Sequence, residues 1–362
     1  MSVQDQHGGN IYAAGRELGI LPSRLLDFSA SINPFGPSQR ALRLAADGLS
    51  LACHYPDPDC HDLVTALASR WNLEPANFVI GNGSAELIHL IPRALAIRHA
   101  LVLGPAFSEY AQAVSTMGGR TTHLHANREN QYRHSVRHIL ETLRTSGNQV
   151  DSLFLCNPNN PTGQVLAARE VLNLAEEAAH TGIWVVVDEA YIEYCENQSV
   201  LSAVNSNPWL LILRSFTKFY ALPGLRIGYL VGSQNTVAQI KHLQPTWSVN
   251  SIAQIAAHAA LKDRRHARRS LAFVQRERAR FEEALRALPG LVIFPSEANF
   301  LLLELPPPLR ASAVSEALRR HGLLIRDCSS IPGLNERTIR VAIRTPRQNR
   351  RLVEALGPIV TA

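Results

Sequence analysis

From about Ser50 to Val249 the chain alternates short apolar runs with amphipathic stretches. The runs NFVIG, ALVLG, SLFLC, IWVVVDEA, PWLLILRS and RIGYLVG are strand-sized, whereas SAELIHLIPRAL, FSEYAQAVSTM, REVLNLAEEAAH and VAQIKHL carry helical spacing. Apolar strands bounded by amphipathic helices predict a mostly parallel sheet covered on both faces, the large domain of an α/β protein. A long helical stretch from Asn250 to Leu288 follows, and LPG ends it. The strands LVIFP and NFLLLEL, the helix SAVSEALRRHG and the strand TIRVAIR then predict a smaller α+β domain on an antiparallel sheet. The expected division is an N-terminal segment 1–40, a large domain 41–255 and a small C-terminal domain 256–362. In the first of these, the helix IYAAGRELGI and the loop DFSASINPFGPS are expected to lie over the small domain and the domain junction.

Composition narrows the class. At 362 residues the chain exceeds what one hydrophobic core usually covers, and 46% hydrophobic against 18% charged residues excludes a disordered chain. The most apolar stretches, Ile183 to Val187, Leu210 to Leu213 and Phe300 to Leu303, are far shorter than a spanning helix, so no membrane partner is expected. The polar start MSVQDQHGGN lacks the pattern of a signal peptide, and five scattered cysteines without a C-x-x-C pair fit a reduced compartment; both point to the cytoplasm. The net charge of +6 would suit an anionic partner, with its densest patch from Lys262 to Arg280. Leu271, Phe273, Val274 and Phe281 recur there at near-helical spacing with Glu277, Glu282 and Glu283 interleaved, which reads as a solvated helix face, and no nucleic acid is expected. Cys53-His54 and Cys60-His61, with Asp57 and Asp59 between, have metal-ligand types but no zinc spacing, and no metal is expected.

One count carries more than the charge. Of 36 basic residues only three are lysines, Lys218, Lys241 and Lys262. A desolvated lysine can lose its proton and form an imine, whereas arginine stays protonated. Lys241 and Lys262 lie in polar, helix-like surroundings; Lys218 follows an apolar strand and stands between Phe216, Phe219 and Tyr220.

In an open α/β sheet the ligand site lies beyond the carboxyl ends of the strands, so the residues closing each apolar run are where chemistry belongs. SLFLC ends in Asn157-Pro158-Asn159-Asn160-Pro161-Thr162-Gly163, IWVVV in Asp188-Glu189-Ala190-Tyr191, and WLLIL in Arg214-Ser215-Phe216-Thr217-Lys218. That set matches the needs of pyridoxal 5′-phosphate. Lysine holds the aldehyde, a carboxylate keeps the ring nitrogen protonated, and Asn and Tyr donors serve the phenolic oxygen. The cofactor phosphate needs an anion cradle, and Gly83, Ser84 and Ala85 open a helix directly after the strand NFVIG. Glu86 stands where a dinucleotide-binding fingerprint has its third glycine, which argues against a Rossmann site. Ser215, Thr217 and Arg226 can complete the cradle, and Phe107 can stack on the ring.

N-P-x-N-P-T-G, D-E-A-Y, S-x-T-K and G-L-R-x-G-Y, in this order, resemble the aspartate-aminotransferase-type, fold-type I pyridoxal 5′-phosphate enzymes over nearly the whole chain. Within them His7-Gly8-Gly9-Asn10, LLDFSASINPFG, His54-Tyr55-Pro56-Asp57 and TKFYALPGLRIGYLV most resemble the threonine-phosphate decarboxylases of cobalamin biosynthesis, with histidinol-phosphate aminotransferases next. The resemblance implies Lys218 as the Schiff-base lysine, Asp188 as the pyridinium partner, Tyr191 and Asn160 at the phenolic oxygen, and Ser84, Ala85, Ser215 and Arg226 at the phosphate. It further implies a homodimer in which Tyr55 reaches the neighbouring subunit's cofactor phosphate. Arg340 is implied at the substrate carboxylate, with Arg326, His7, Gly8, Asn33 and Asn160 as further substrate contacts. The implied reaction is decarboxylation of L-threonine O-3-phosphate to (R)-1-amino-2-propanol O-2-phosphate, with transamination of histidinol phosphate as the alternative. A pyridoxal-phosphate-binding transcription regulator is a third reading; some 40 residues ahead of the large domain, without a second recognition helix, argue against it.

Overall fold

The computed structural model describes residues 8–145 and 149–361; His7, one of the expected substrate contacts, lies outside the described residues. The strands are β1 (Leu26–Asp27), β2 (Phe78–Gly81), β3 (His99–Gly104), β4 (Arg120–His125), β5 (Ser152–Cys156), β6 (Trp184–Asp188) and β7 (Leu210–Ser215). They continue with β8 (Gly228–Val231), β9 (Val292–Ile293), β10 (Phe300–Glu304), β11 (Leu323–Leu324), β12 (Arg326–Asp327) and β13 (Thr338–Ala342).

The large sheet has the order β2-β8-β7-β6-β5-β3-β4. All its neighbours run parallel except β8, which is antiparallel to both β2 and β7. Strands β3, β5 and β7 are buried along their whole length, which is why they read as continuous apolar runs rather than as alternating ones. Successive side chains still serve opposite faces. Leu153, Val185, Val187 and Ile212 pack into one core, with the helix Ala168–His180 (Val171, Leu174) over it. Phe154, Val186, Leu211 and Leu213 pack into the other, under the helices Gly83–Ala94 (Leu87, Ile88) and Glu109–Thr116 (Tyr110, Ala113). Each fully buried aliphatic side chain contributes about 1.5–3 kcal/mol, so these faces carry much of the fold's stability.

The small sheet is antiparallel, in the order β12-β13-β10-β9. Its strands β9, β10 and β13 lie in LVIFP, NFLLLEL and TIRVAIR; the two-residue β12 is too short to leave a periodic signal. The N-terminal segment is tied to this part of the chain: β1 pairs in parallel with β11, and the Phe28 carbonyl accepts from the Ala342 N–H at 2.8 Å.

The helical stretch after Asn250 is two helices, Ser251–Lys262 and Arg264–Arg286. They break at Asp263, whose side chain accepts from the His266 N–H at 3.0 Å and so caps the second helix. The division expected after residue 255 falls inside the first of these helices. In Arg264–Arg286 the buried positions are Ser270, Val274, Glu277, Phe281 and Leu285, at helical spacing, and most of the arginines lie outside that stripe. No helix of the described residues is long and apolar enough to cross a membrane.

Candidate active site

The rim where the parallel strands end is also where the antiparallel β8 begins. Register fixes it: Cys156 lies beside Asp188, and Ser215 beside Gly228, which in turn lies beside Gly81. Above it opens a cavity of about 460 Å³ whose wall includes Phe107, Asn160, Tyr191, Lys218, Arg326 and Arg340. Six of the expected site residues, from four elements of the large sheet's connections and two strands of the small sheet, therefore share one space. Gly8 is on the same wall, and its Cα is packed so closely that an added Cβ would lie 2.4 Å from the Ser29 carbonyl oxygen.

Lys218 is half-buried, and its Nζ lies 5.8 Å from the centre of the Tyr191 ring. Tyr191 is itself fixed edge-on against Phe300, at 5.1 Å between centroids. Asp188 is buried at the end of β6, where Oδ1 accepts the Ala190 N–H at 3.0 Å and Oδ2 the Tyr110 hydroxyl at 2.7 Å. Burial pushes its carboxyl above the ordinary range, opposed by the Tyr110 and Ala190 hydrogen bonds and by the nearby Lys218 charge.

The residues expected to cradle the phosphate come together at the neighbouring strand ends. Gly83 begins the helix Gly83–Ala94 with φ +77°, and a Cβ there would lie 2.6 Å from Nη2 of Arg226. The guanidinium is thus held against the helix start, beside backbone N–H groups that lack intrahelical partners. Gly228 allows the approach from the other side, since a Cβ on it would lie 2.6 Å from the Ser84 nitrogen. Ser215 is directly across from Gly228, and its hydroxyl lies 2.8 Å from that of Thr217. Glu86 turns back instead of facing the cradle, accepting from the Asn82 N–H at 2.8 Å and the Ser248 hydroxyl at 2.6 Å.

Two arginines come together on the small-domain side. Arg326 on β12 and Arg340 on β13 are directly opposite in antiparallel register, so their side chains leave the same face of the sheet. Arg340 is buried; Nη1 donates to the Asn160 side-chain oxygen, Nη2 donates to the Ser29 carbonyl at 2.8 Å, and the guanidinium lies over Phe300. Its Nε has no hydrogen-bond partner among the described residues.

Other expected residues lie elsewhere. Asn33 is not on the cavity wall: its amide nitrogen donates to the Phe219 carbonyl at 2.8 Å and to Ser270 at 2.9 Å, while its backbone N–H donates to the Lys218 carbonyl. Those bonds tie it to the loop that carries Lys218. Tyr55 is 77% exposed and stacks on Trp247 at 4.3 Å, away from this chain's own cavity. Asp57, near the Cys-His pairs, accepts the Asp59 and His61 N–H groups and starts the helix His61–Trp71. Of the three asparagines in the Asn-Pro segment Asn160 lines the cavity, while Asn157 is bonded to Leu166 and Asn159 to Pro105 and Thr162.

Sequence reasoning missed Tyr110, Gln112, the turn Ser29–Ser31 and the stacked pair His123 and His125, whose rings are 5.5 Å apart and nearly parallel. The strand-end rule applied to THLHA would have found the two histidines, since β4 closes on His125.

Below the rim lies a buried charge network. Arg214, fully buried in β7 beside Ser215, donates through Nε to Glu189 Oε2 at 2.8 Å and through Nη2 to Ser199 at 2.8 Å. Glu189 follows Asp188 and also accepts the Val200 N–H at 2.9 Å. The strand ends that present Asp188 and Lys218 are therefore braced by one ion pair.

An amine at the end of β7, a buried carboxylate at the end of β6 and an anion cradle at the β2–β8 edge define a fold-type I pyridoxal-phosphate enzyme. The donor set is one that could hold this cofactor: Lys218 would take the aldehyde, Asp188 the ring nitrogen, and Gly83, Ser84, Ala85, Ser215, Thr217 and Arg226 the phosphate. Residues 23–356 match the aminotransferase class I and II model, and the chain belongs to that family. It is 39% identical over 359 residues to the threonine-phosphate decarboxylase of Salmonella typhimurium, covering 98% of this chain and 96% of that one. The crystal structure of L-threonine-O-3-phosphate decarboxylase from Porphyromonas gingivalis superposes with TM-score 0.83 at 26% identity, covering 93% of this chain and all of that one. The histidinol-phosphate aminotransferase of Sinorhizobium meliloti, solved in complex with pyridoxal-5′-phosphate, superposes with TM-score 0.85 at 25% identity, covering 98% of this chain and 95% of that one.

Proposed function

We propose that this chain decarboxylates L-threonine O-3-phosphate, releasing carbon dioxide and (R)-1-amino-2-propanol O-2-phosphate for cobalamin biosynthesis, in the cytoplasm and as a homodimer. The observation that carries the reading is the pair Arg326 and Arg340, directly opposite each other and on the same wall as Lys218. Arginine grips carboxylate and phosphate groups through paired N–H donors, and this substrate is anionic at both ends. The names of the relatives in Salmonella typhimurium and Porphyromonas gingivalis support the same substrate.

The bound cofactor supplies an electron sink for the bond that breaks at Cα. The chain's own residues do the rest. Arg340, anchored by Ser29 and Asn160, grips one anionic end and Arg326 the other. Held at both ends, the substrate would present the bond to its carboxylate, rather than Cα–H, to that electron sink. The carboxylate would leave as carbon dioxide, and the Lys218 amine would supply the proton that Cα takes up in its place. Asp188 keeps the ring nitrogen protonated throughout.

The dimer reading rests on an exposed apolar group. Leu42, Leu44, Leu49, Leu51, Tyr55 and Trp247 are all exposed. A second copy would cover them and receive Tyr55 at its cofactor phosphate.

The test is carbon dioxide release from phosphothreonine, measured beside glutamate formation from histidinol phosphate and 2-oxoglutarate. Release from phosphothreonine is expected to dominate, and unphosphorylated threonine to be poor. Arg326→Met or Arg340→Met is expected to cost about 2–4 kcal/mol of transition-state binding. Glutamate formation outrunning carbon dioxide release would replace this reading with the aminotransferase.

A further inference from the structure

Asp188 keeps both carboxylate oxygens occupied from within the protein. The Ala190 N–H is local, two residues on, and reaches Oδ1. The Tyr110 hydroxyl comes from the helix Glu109–Thr116, 78 residues away in the chain, and reaches Oδ2 at 2.7 Å. Nothing about helix packing requires that bond, because the ring alone would fill the space. Tyr110 is fully buried, stacked on Phe154 at 5.7 Å and edge-on to Phe107 at 5.8 Å. Phe107 is on the cavity wall. One cluster therefore joins a phenylalanine of the cavity wall to the carboxylate.

We propose that Tyr110 is a positioning residue of this enzyme: its phenol orients the Asp188 carboxylate that faces the cofactor's ring nitrogen. The inference rests on the assignment of Asp188 to that nitrogen. A carboxylate with one donor on each oxygen cannot rotate about its Cβ–Cγ bond without losing both, so the remaining lone pairs stay aimed in one direction. The phenol also favours the ionised carboxylate against the burial that opposes it. Burial raises the Tyr110 phenol far above its ordinary range, so it stays a donor throughout the working pH. The other titratable groups facing this pair are the Cys156 thiol, kept protonated by burial and donating to the Pro158 carbonyl at 3.1 Å, the Lys218 amine and the Glu189 carboxylate.

Removing only the hydroxyl isolates the effect, since Tyr110→Phe keeps the ring and its contacts. In the holoenzyme this variant is expected to lower kcat about tenfold or more with KM within about twofold, the size of a lost hydrogen bond to a buried charge. Two readouts do not depend on turnover: the affinity of the apoprotein for pyridoxal phosphate, and the pH titration of the bound cofactor's absorbance. The titration midpoint is expected to move, because a carboxylate that has lost a donor holds its proton more strongly. Unfolding of the apoprotein reports whether the ring still packs. The deciding comparison is the double variant with Asp188→Asn. If Tyr110 acts through Asp188, adding Tyr110→Phe to Asp188→Asn leaves cofactor affinity, absorbance and kcat within about twofold. Effects that multiply in the double variant, or an unchanged titration in the single one, overturn the inference. If Asp188→Asn alone leaves cofactor affinity and absorbance unchanged, the assignment of Asp188 itself falls.

Discussion

Replacing Glu193 by Gln is expected to stabilise the apoprotein at pH 8.5 and to leave it nearly unchanged at pH 4. Glu193 is buried, its Oε1 lies 3.6 Å from Nη1 of Arg214, and its Oε2 has no hydrogen-bond partner among the described residues. Arg214 is shared among Glu189, Glu193 and Glu196, and Glu196 is also held by Arg70 at 3.2 Å. Three carboxylates face two guanidiniums, so one negative charge is in excess. Burial pushes the Glu193 carboxyl from 4.5 up to about 7, with Arg214 opposing. The sign follows from linkage. Below pH 4.5 the carboxyl is protonated both folded and unfolded, and its contribution is fully present; as pH rises through 7, the folded protein must ionise a buried group and that contribution is lost. At about 1.36 kcal/mol per pH unit the loss approaches about 3 kcal/mol above pH 7. Gln keeps the shape and has no proton to lose. Thermal unfolding of the apoprotein, free of stabilisation by bound cofactor, is the assay, with an expected rise of about 3 °C or more at pH 8.5. An equal shift at both pH values, or a lower midpoint at pH 8.5, would refute the argument and make Glu193 an ordinary ionised partner of Arg214.

Borohydride treatment of the holoenzyme is expected to fix the cofactor to the peptide carrying Lys218, and a label on Lys241 or Lys262 would overturn that assignment. Gly83→Ala combines a side chain at φ +77° with a Cβ 2.6 Å from Arg226, and is expected to weaken pyridoxal phosphate about tenfold or more in a titration of the apoprotein. His134 is pushed by burial from 6.5 down to about 4, so stability is expected to be intact above pH 6.5 and to fall as pH drops toward 4. In His134→Phe that acid limb should flatten between pH 6.5 and 4, measured by urea unfolding at each pH.

The residues able to do the chemistry were legible in the sequence because an open α/β sheet turns position along the chain into position in space. A residue that closes a buried apolar run stands at the rim, and Asn160, Asp188 and Lys218 follow three such runs; with only three lysines in the chain, the amine had one credible source. The position of the glycine turn before SAELIHL, at a strand end and a helix start, was readable for the same reason. Tertiary structure alone decided what depends on register and on contacts between distant elements. Arg326 faces Arg340 only because two-residue β12 pairs in one register with β13, and a shift of one residue would turn Arg326 to the opposite face. That Asn33 is tied to the lysine loop depends on Phe219 and Ser270, far along the chain, and no local pattern in the sequence shows it. Tyr110 sits at a core position of an amphipathic helix, where an aromatic residue packs by its ring and gives no hint in sequence of where its hydroxyl ends. That the hydroxyl meets Asp188 follows from how the helix after β3 lies across the sheet toward the end of β6.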